Sequence, residues 1–330
     1  AARLNNTLSL WPERAYREVH PAVIAALERV RERLPDEQLA VRALVTGSLA
    51  NELAYADERA RAIELAGIAV DDARRSGDRD ALVRTLMNAY RASYVGDSLV
   101  VRRDLVEEAV QVVESMDGAH GLGVISWFAM AVVELQSADM AACEAALRRA
   151  DEHARFTSHV APRSQLGFFR TLVAQVQGRH DVVRKEADAA YDLYRRGRQW
   201  QADAIMLGVE LSLRHDLGGA NELTGLLESV LDTPYELLAR EFGALVLLDN
   251  GWPEDAARLL GRRGVAPEPR DDYTAPLIYV AAAHVRVEIG DTVAAEAILA
   301  KVQPFAGQLV VNSSATPVGG LADLAIARVE

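Results

Sequence analysis

Apolar residues along this chain recur at three- and four-residue steps, in runs that end repeatedly in a Gly/Asp-type break. The breaks read Gly96-Asp97, Ala138-Asp139, Gly178-Arg179-His180-Asp181, Gly218-Gly219-Ala220, Asn250-Gly251-Trp252-Pro253 and Gly290-Asp291. An Ala-rich, Leu-containing run follows each of the later ones. Most breaks lie roughly forty residues apart, the period of stacked helix pairs. The spacing predicts a helix over 39–56, with Leu39, Ala43, Leu44, Leu49 and Leu53 at helical steps, and a partner over 59–75. Gly77 suits the left-handed residue that closes a helix, and Asp78 the cap that opens the next. The same unit is predicted at 81–95 with 101–116, 124–136 with 141–156, and 164–177 with 182–196. It continues at 202–216 with 222–231, 235–248 with 254–260, and 274–289 with 293–302. A leading helix or helix pair over 12–34 has Pro12 and Pro21 near helix starts, where the ring is tolerated.

Small residues fall in the middle of the first helices, at Ala50, Ala89, Ala129, Gly208, Gly243 and Ala281. Ala66, Ala109, Ala145, Ala187 and Ala256 answer them in the second helices. Small residues at facing positions let partner helices approach closely. This pattern resembles the tetratricopeptide repeat in a slightly long form. The expected fold class is therefore all-α, a right-handed superhelix (solenoid) of such helix pairs. Three segments follow: an N-terminal helical cap over 1–38, repeats over 39–303, and an irregular segment with the start of a terminal helix over 304–330. Leu309-Val310-Val311 is the one β-like run, and with its Gly- and Pro-rich surroundings the region reads as a loop carrying a short extended piece.

A length of 330 residues suggests two ordinary domains, but a solenoid grows along one axis without a second globular core. The aromatic share is 6%, which fits Ala/Leu interdigitation between helices. The net charge of −12 argues against direct nucleic-acid binding, which rests on Lys and Arg. Cys143 is the sole cysteine, so no internal disulfide forms and a reducing, cytoplasmic setting is expected. No basic-then-apolar leader opens the chain and no apolar stretch reaches the length of a membrane span. The chain opens Ala-Ala-Arg and stops at Arg328-Val329-Glu330 inside a helical run, which reads as a piece of a longer protein.

The motifs of covalent chemistry are missing from the sequence. Neither Lys185 nor Lys301, the only lysines, follows a glycine, so no phosphate-binding loop is present. Gly121-Leu122-Gly123 lacks a preceding strand and reads as a turn between repeats. His153 and His159 have no Cys or acidic pattern to complete a metal site and read as helix-end residues. No Gly-x-Ser-x-Gly elbow occurs. Cys143, on an Ala-rich helix, reads as a small packing residue. Arg195-Arg196-Gly197-Arg198 before Trp200 could grip an anion, but a helix C-terminus favours cations there in any case. Arg102-Arg103 and Arg148-Arg149 read as solvated faces with Glu partners. The chain is not expected to be an enzyme, and no cofactor or metal is expected within it.

A solenoid binds along the side its first helices line. The candidate lining residues are Asn88, Tyr90, Arg91, Trp127, Glu134, Arg170, Gln175, Glu210, Arg214, Tyr279 and His284. Mixed aromatic and polar groups on one surface suit a small molecule or peptide. For Trp127, core packing is the stronger expectation. Self-association is also expected wherever a solenoid end is left uncapped.

Three segments carry a more specific likeness: Leu86-Met87-Asn88-Ala89-Tyr90-Arg91 before Gly96-Asp97, the run from Asp249 through Trp252-Pro253 to Ala256, and the tail from Val302 to Val311. With these the chain resembles the C-terminal helical-repeat region of large bacterial transcription regulators built around a nucleotide-binding ATPase. These are the LuxR-type large ATP-binding regulators and the SARP-type antibiotic pathway activators; related multidomain cyclases carry a similar region. The tail is similar to the family's Leu-Pro-Tyr-Ala-Gly phrase, with Ser313-Ser314-Ala315-Thr316 where relatives tend to have glycines. The resemblance covers nearly the whole chain. It implies a sensor or regulatory module that binds a small-molecule or peptide effector, or a protein partner including its own ATPase domain. ATP is implied only for that upstream domain, and a DNA-binding domain for one end. The alternative is a scaffold for a protein or peptide.

Overall fold

Asp78, Asp139 and Asp291 each stand just ahead of a helix and accept a hydrogen bond from a backbone N–H three residues on. The donors are Ala81 at 3.0 Å, Ala142 at 2.9 Å and Ala294 at 3.1 Å. Each carboxylate satisfies a donor that the first helical turn leaves open. The helix before the break ends in an equally regular way. Gly178, Gly251 and Gly290 donate to the carbonyl three residues back, and the next residues, Arg179, Trp252 and Asp291, to the carbonyl five back. The three glycines have φ of 69°, 81° and 76°. This double closure needs a left-handed residue. Ala138 and Asp139 make the same pair of bonds, with Ala138 at φ 58°.

A computed structural model describes residues 9–10, 16–56, 58–94, 98–197, 202–219, 223, 225, 227, 230, 233–261, 269, 272–312 and 315–330. Among the described residues the fold is all-α, 76% helical with 15 α-helices. In order they are α1 (Pro21–Arg33), α2 (Leu39–Leu53), α3 (Arg59–Ser76), α4 (Arg79–Ala92), α5 (Leu99–Glu114), α6 (His120–Gln136), α7 (Met140–Ala154) and α8 (Val160–Val176). Then come α9 (His180–Arg196), α10 (Ala202–Leu217), α11 (Glu236–Asp249), α12 (Pro253–Gly261), α13 (Ala275–Glu288) and α14 (Thr292–Val302). A hairpin of β1 (Leu309–Asn312) and β2 (Ala315–Leu321) precedes α15 (Ala322–Val329).

The chain forms two compact units. One comprises Ala1–Tyr94, Ser98–Glu134 and Asp139–Arg163; the other comprises Val95–Asp97, Leu135–Ala138 and Ser164–Glu330. In the first unit α2 packs on α1, α3 and α4, and α4 on α3 and α5. In the second, α10 packs on α9 and α11, α11 on α12 and α13, and α13 on α14 and α15. First helices thus touch both their own partner and the first helix of the next pair. The consequence is visible in burial. Every residue of α2 from Ala43 to Leu53 is buried, and every residue of α11 from Leu237 to Leu247. Second helices bury one stripe only: Ala62, Leu65, Ala66, Ala69, Val70, Asp72 and Ala73 on α3, and Val183, Ala187, Ala190 and Tyr194 on α9. The second unit's core runs from Leu207 and Leu211 through Phe242 and Leu245 to Leu277, Val280 and Val285, and on to Val310 and Ala325. Gly243 is a close-packing point, since a Cβ there would lie 2.7 Å from Leu227 Cδ2.

Several expectations need correction. The helix predicted over 39–56 stops at Leu53, and residues 54–56 form a turn. Gly121 and Gly123 lie in the first turn of α6, not in a connection. A Cβ at Gly123 would collide with the His153 ring as it stands. On α7 the packing residue is Ala146, with Cys143 and Ala150, whereas Ala145 is exposed. The short extended piece expected at 309–311 is a strand, and the loop expected around it supplies a second one, in an antiparallel hairpin pairing Leu309 with Leu321 and Val310 with Gly320. It packs on α13, where a Cβ at Gly319 would lie 2.8 Å from Leu277 Cδ1. Pro12, the Gly96-Asp97 break, most of 222–231, Arg198, Trp200 and Ser313-Ser314 lie outside the described residues.

Candidate functional site

Because first helices are interior over much of their length, polar residues on them are buried rather than lining a surface. Asn88, Tyr90 and Arg91 on α4 show this. They were expected on an exposed face and instead lie in the core of the first unit. Arg91 donates through Nη1 to the Ser9 carbonyl and through Nη2 to Asn88 Oδ1. Asn88 lies against Gly47 of α2, whose hypothetical Cβ would be 2.9 Å from Asn88 Nδ2. Arg102 is likewise buried, contrary to its expected solvated place. Its guanidinium lies 4.0 Å from the Tyr94 ring centroid and 5.6 Å from that of Tyr90, and its Nε donates to Ser98 Oγ at 3.2 Å. Burial pushes the Tyr90 phenol well above its ordinary range. Arg103, next along, does reach its expected acidic partner, with Nη1 2.6 Å from Glu134 Oε1.

Trp127 on α6 is half-buried. Its Nε1 donates to Glu114 Oε1 at 2.8 Å, and the same carboxylate takes Arg149 Nη2 at 2.7 Å. The Arg149 guanidinium lies 5.5 Å from the indole centroid. Burial acts to raise the Glu114 pKa, but the hydrogen bonds from Trp127 and Arg149 outweigh it and hold the group below its ordinary value. Cys143 is buried as expected, and burial pushes its thiol up to about 12, far from a reactive thiolate.

The remaining candidates belong to the second unit. Arg170 is half-buried, and burial lowers its pKa while Glu186 opposes the shift. Glu210 is paired with Arg184, Nη2 to Oε2 at 2.9 Å. The Arg214 carbonyl accepts from Asn250 Nδ2 at 3.1 Å, tying α10 to the end of α11. Gln175 donates to Asp216 Oδ2 at 3.1 Å. Tyr279 packs partly buried on the core. His284 is buried, its Nε2 has no hydrogen-bond partner, and burial pushes its pKa down to about 4.

Two groupings escaped the sequence reading. The first joins helix ends. His215 Nε2 lies 2.7 Å from Asp249 Oδ2 and its Nδ1 3.4 Å from Asp216 Oδ1. Hydrogen bonds to Asp216 and then Asp249 raise the His215 pKa to about 9. The His215 bond in turn holds Asp249 below the usual carboxylate range. The second grouping is Arg240 and Glu241 on α11 with Arg286 on α13. Arg240 Nη2 and Arg286 Nη2 both reach Glu241 Oε1, at 3.3 Å and 3.2 Å. The sequence carried one signal for it: a charged pair inside an apolar helical run is conspicuous if that helix is buried all round.

No group of three or more His, Cys, Asp or Glu side chains is placed to hold a metal among the described residues. Among the same residues no helix is long and apolar enough to cross a membrane. Compared with known proteins, the chain matches no family model and no curated protein.

Proposed function

We propose that this chain is a regulatory helical-repeat module that binds an effector or protein partner and passes the binding energy to an attached ATPase and DNA-binding portion. The resemblance to LuxR-type and SARP-type regulators supports the second half of this reading. The observation that carries the first half is the set of ionisable side chains on interior helices of the second unit, Arg240, Glu241, His284 and Arg286. Packing alone would fill such positions with apolar groups. Regulation requires only that the effector bind one conformation more tightly than another. Cytoplasmic location and capacity for self-association belong to the same proposal.

The test is made in cells carrying the full-length gene. Removing residues 39–303 is expected to uncouple transcription from the effector; an unchanged effector response overturns the reading. A protein or peptide scaffold is the second reading, favoured by Val100 and Val101, adjacent apolar residues exposed on α5. A stable protein partner captured by the purified chain, with no small-molecule thermal shift, selects it.

A further inference from the structure

We propose that Arg240, Glu241 and Arg286 form a subsite for a small carboxylate bearing a hydrogen-bond donor beside its carboxyl group, an α-amino or α-hydroxy acid. The proposal rests on the effector-binding reading and gives that effector a chemical class.

The three side chains are 4%, 2% and 18% exposed. Two guanidiniums share one carboxylate oxygen, so the cluster carries one net positive charge inside the second unit. Three of its buried polar atoms have no hydrogen-bond partner: Arg240 Nε, Arg286 Nη1 and Glu241 Oε2. Native interiors tolerate few such atoms, and an uncompensated buried charge is among the most costly features a core can hold. The buried Arg91 of the first unit, by comparison, gives both of its Nη atoms to groups of the chain, the Ser9 carbonyl and Asn88 Oδ1.

The unpartnered atoms are of two kinds, and the difference specifies the ligand. Two are donors on cations; one is an acceptor on an anion. A sulfate would suit the guanidiniums but set a further acceptor against Glu241 Oε2. A cation would suit Glu241 but face two guanidiniums. A carboxylate with an adjacent ammonium or hydroxyl answers all three, since guanidinium N–H groups match carboxylate geometry and the donor can turn to Glu241. Arg286 is the most exposed of the three.

The experiment uses the whole chain and an isosteric series: L-alanine, lactate and propionate, with sulfate as the plain anion. Melting and calorimetric titration are run at constant pH and ionic strength. Alanine or lactate is expected to raise the melting temperature. Propionate, which lacks the donor, is expected to bind at least about tenfold more weakly, and sulfate to give no shift. Arg240→Met removes the surplus charge and keeps the side chain's length. It is expected to melt at or above the wild type without added acid and to lose the response to alanine and lactate. Arg286→Lys keeps the charge at the more exposed position but removes the guanidinium fork. It is expected to fold normally and bind about tenfold more weakly. Glu241→Gln is expected to erase most of the preference for alanine over propionate.

The subsite is overturned if neither alanine nor lactate shifts the wild type, or if they bind no better than propionate. It is equally overturned if Arg240→Met melts well below the wild type, because the cluster is then an internal brace. These failures leave the effector reading standing if deletion of 39–303 still uncouples transcription in cells; loss of that result as well removes both.

Discussion

The two units handle buried arginine differently. In the first, Arg91 is held by a backbone carbonyl and an asparagine, and Arg102 by a serine hydroxyl with the Tyr94 ring beneath its guanidinium. In the second, Arg240 and Arg286 converge on a single oxygen of Glu241. The scaffold is the same in both, interior first helices flanked by one-faced second helices. The contrast shows that depth alone does not mark a functional group. What matters is whether the fold supplies the partners, since a hydrogen-bonded buried group is near neutral and an unanswered one is expensive. The first arrangement is architecture. The second gathers three unanswered buried atoms, Arg240 Nε, Arg286 Nη1 and Glu241 Oε2, in one cluster.

The largest expected effect tests that contrast directly. Arg91→Met strips donors from two buried acceptors and should destabilise the first unit by about 3 kcal/mol. Arg240→Met should cost the second unit nothing. Hydrogen exchange of α4 and α11 reads the two units separately. Equal losses in both would erase the distinction.

A second contrast is electrostatic. The folded-state pKa of His215 is raised from 6.5 to about 9. Its contribution is therefore complete below about pH 6.5 and is lost as pH rises through 9. His284 has the opposite sign: its pKa is pushed down to about 4, so below pH 6.5 the unfolded chain takes a proton that the folded chain refuses. The second unit should be most stable near pH 6.5 and weaken toward pH 10 by about 1–2 kcal/mol, after allowing for the partial exposure of the His215 pair. Asp249→Asn should flatten that alkaline slope. In the first unit Glu114, held below its ordinary value, gives stability that is lost only as pH falls. Denaturant unfolding at pH 6.5, 8 and 9.5, again resolved by hydrogen exchange, decides the matter. An alkaline loss shared by α4 would break the comparison.

The pairing of helices was legible because it is written in local chemistry. Caps and left-handed closures involve residues within five positions of each other, so Asp78, Gly77, Gly178 and Gly290 announce themselves. What was illegible depends on tertiary partners. Gly123 looks like a turn glycine until the His153 ring is seen against it. Ala145 and Ala146 differ by one helical step, and periodicity could not choose between them. Gly319 reads as a loop residue because nothing nearby in sequence reveals that Leu277 will press on it. The candidate lining residues were misjudged for a related reason. A helix buried all round has no polar face, so Asn88, Tyr90 and Arg91 were assigned to a surface when they belong to the core. The charged trio of α11 and α13 joins residues 45 apart in sequence, and no spacing rule connects them.

The smallest expected effect concerns the left-handed residue that closes a helix. The left-handed residue is glycine at 178, 251 and 290 but alanine at 138, with φ 58°. An alanine in that conformation costs about 1 kcal/mol or more, and glycine returns part of the gain as chain entropy. Ala138→Gly should therefore stabilise by about 0.5 kcal/mol, and Gly178→Ala should destabilise by about 1 kcal/mol. No heavy atom lies within 4 Å of a Cβ built at Gly178, so the second change reports backbone strain alone. Neither substitution touches a buried charge. Both should leave the pH profile of the second unit and its response to alanine or lactate where they were. If Ala138→Gly instead shifts either one, this turn takes part in the difference between the units, and the contrast between their arginines is no longer a property of their interiors alone.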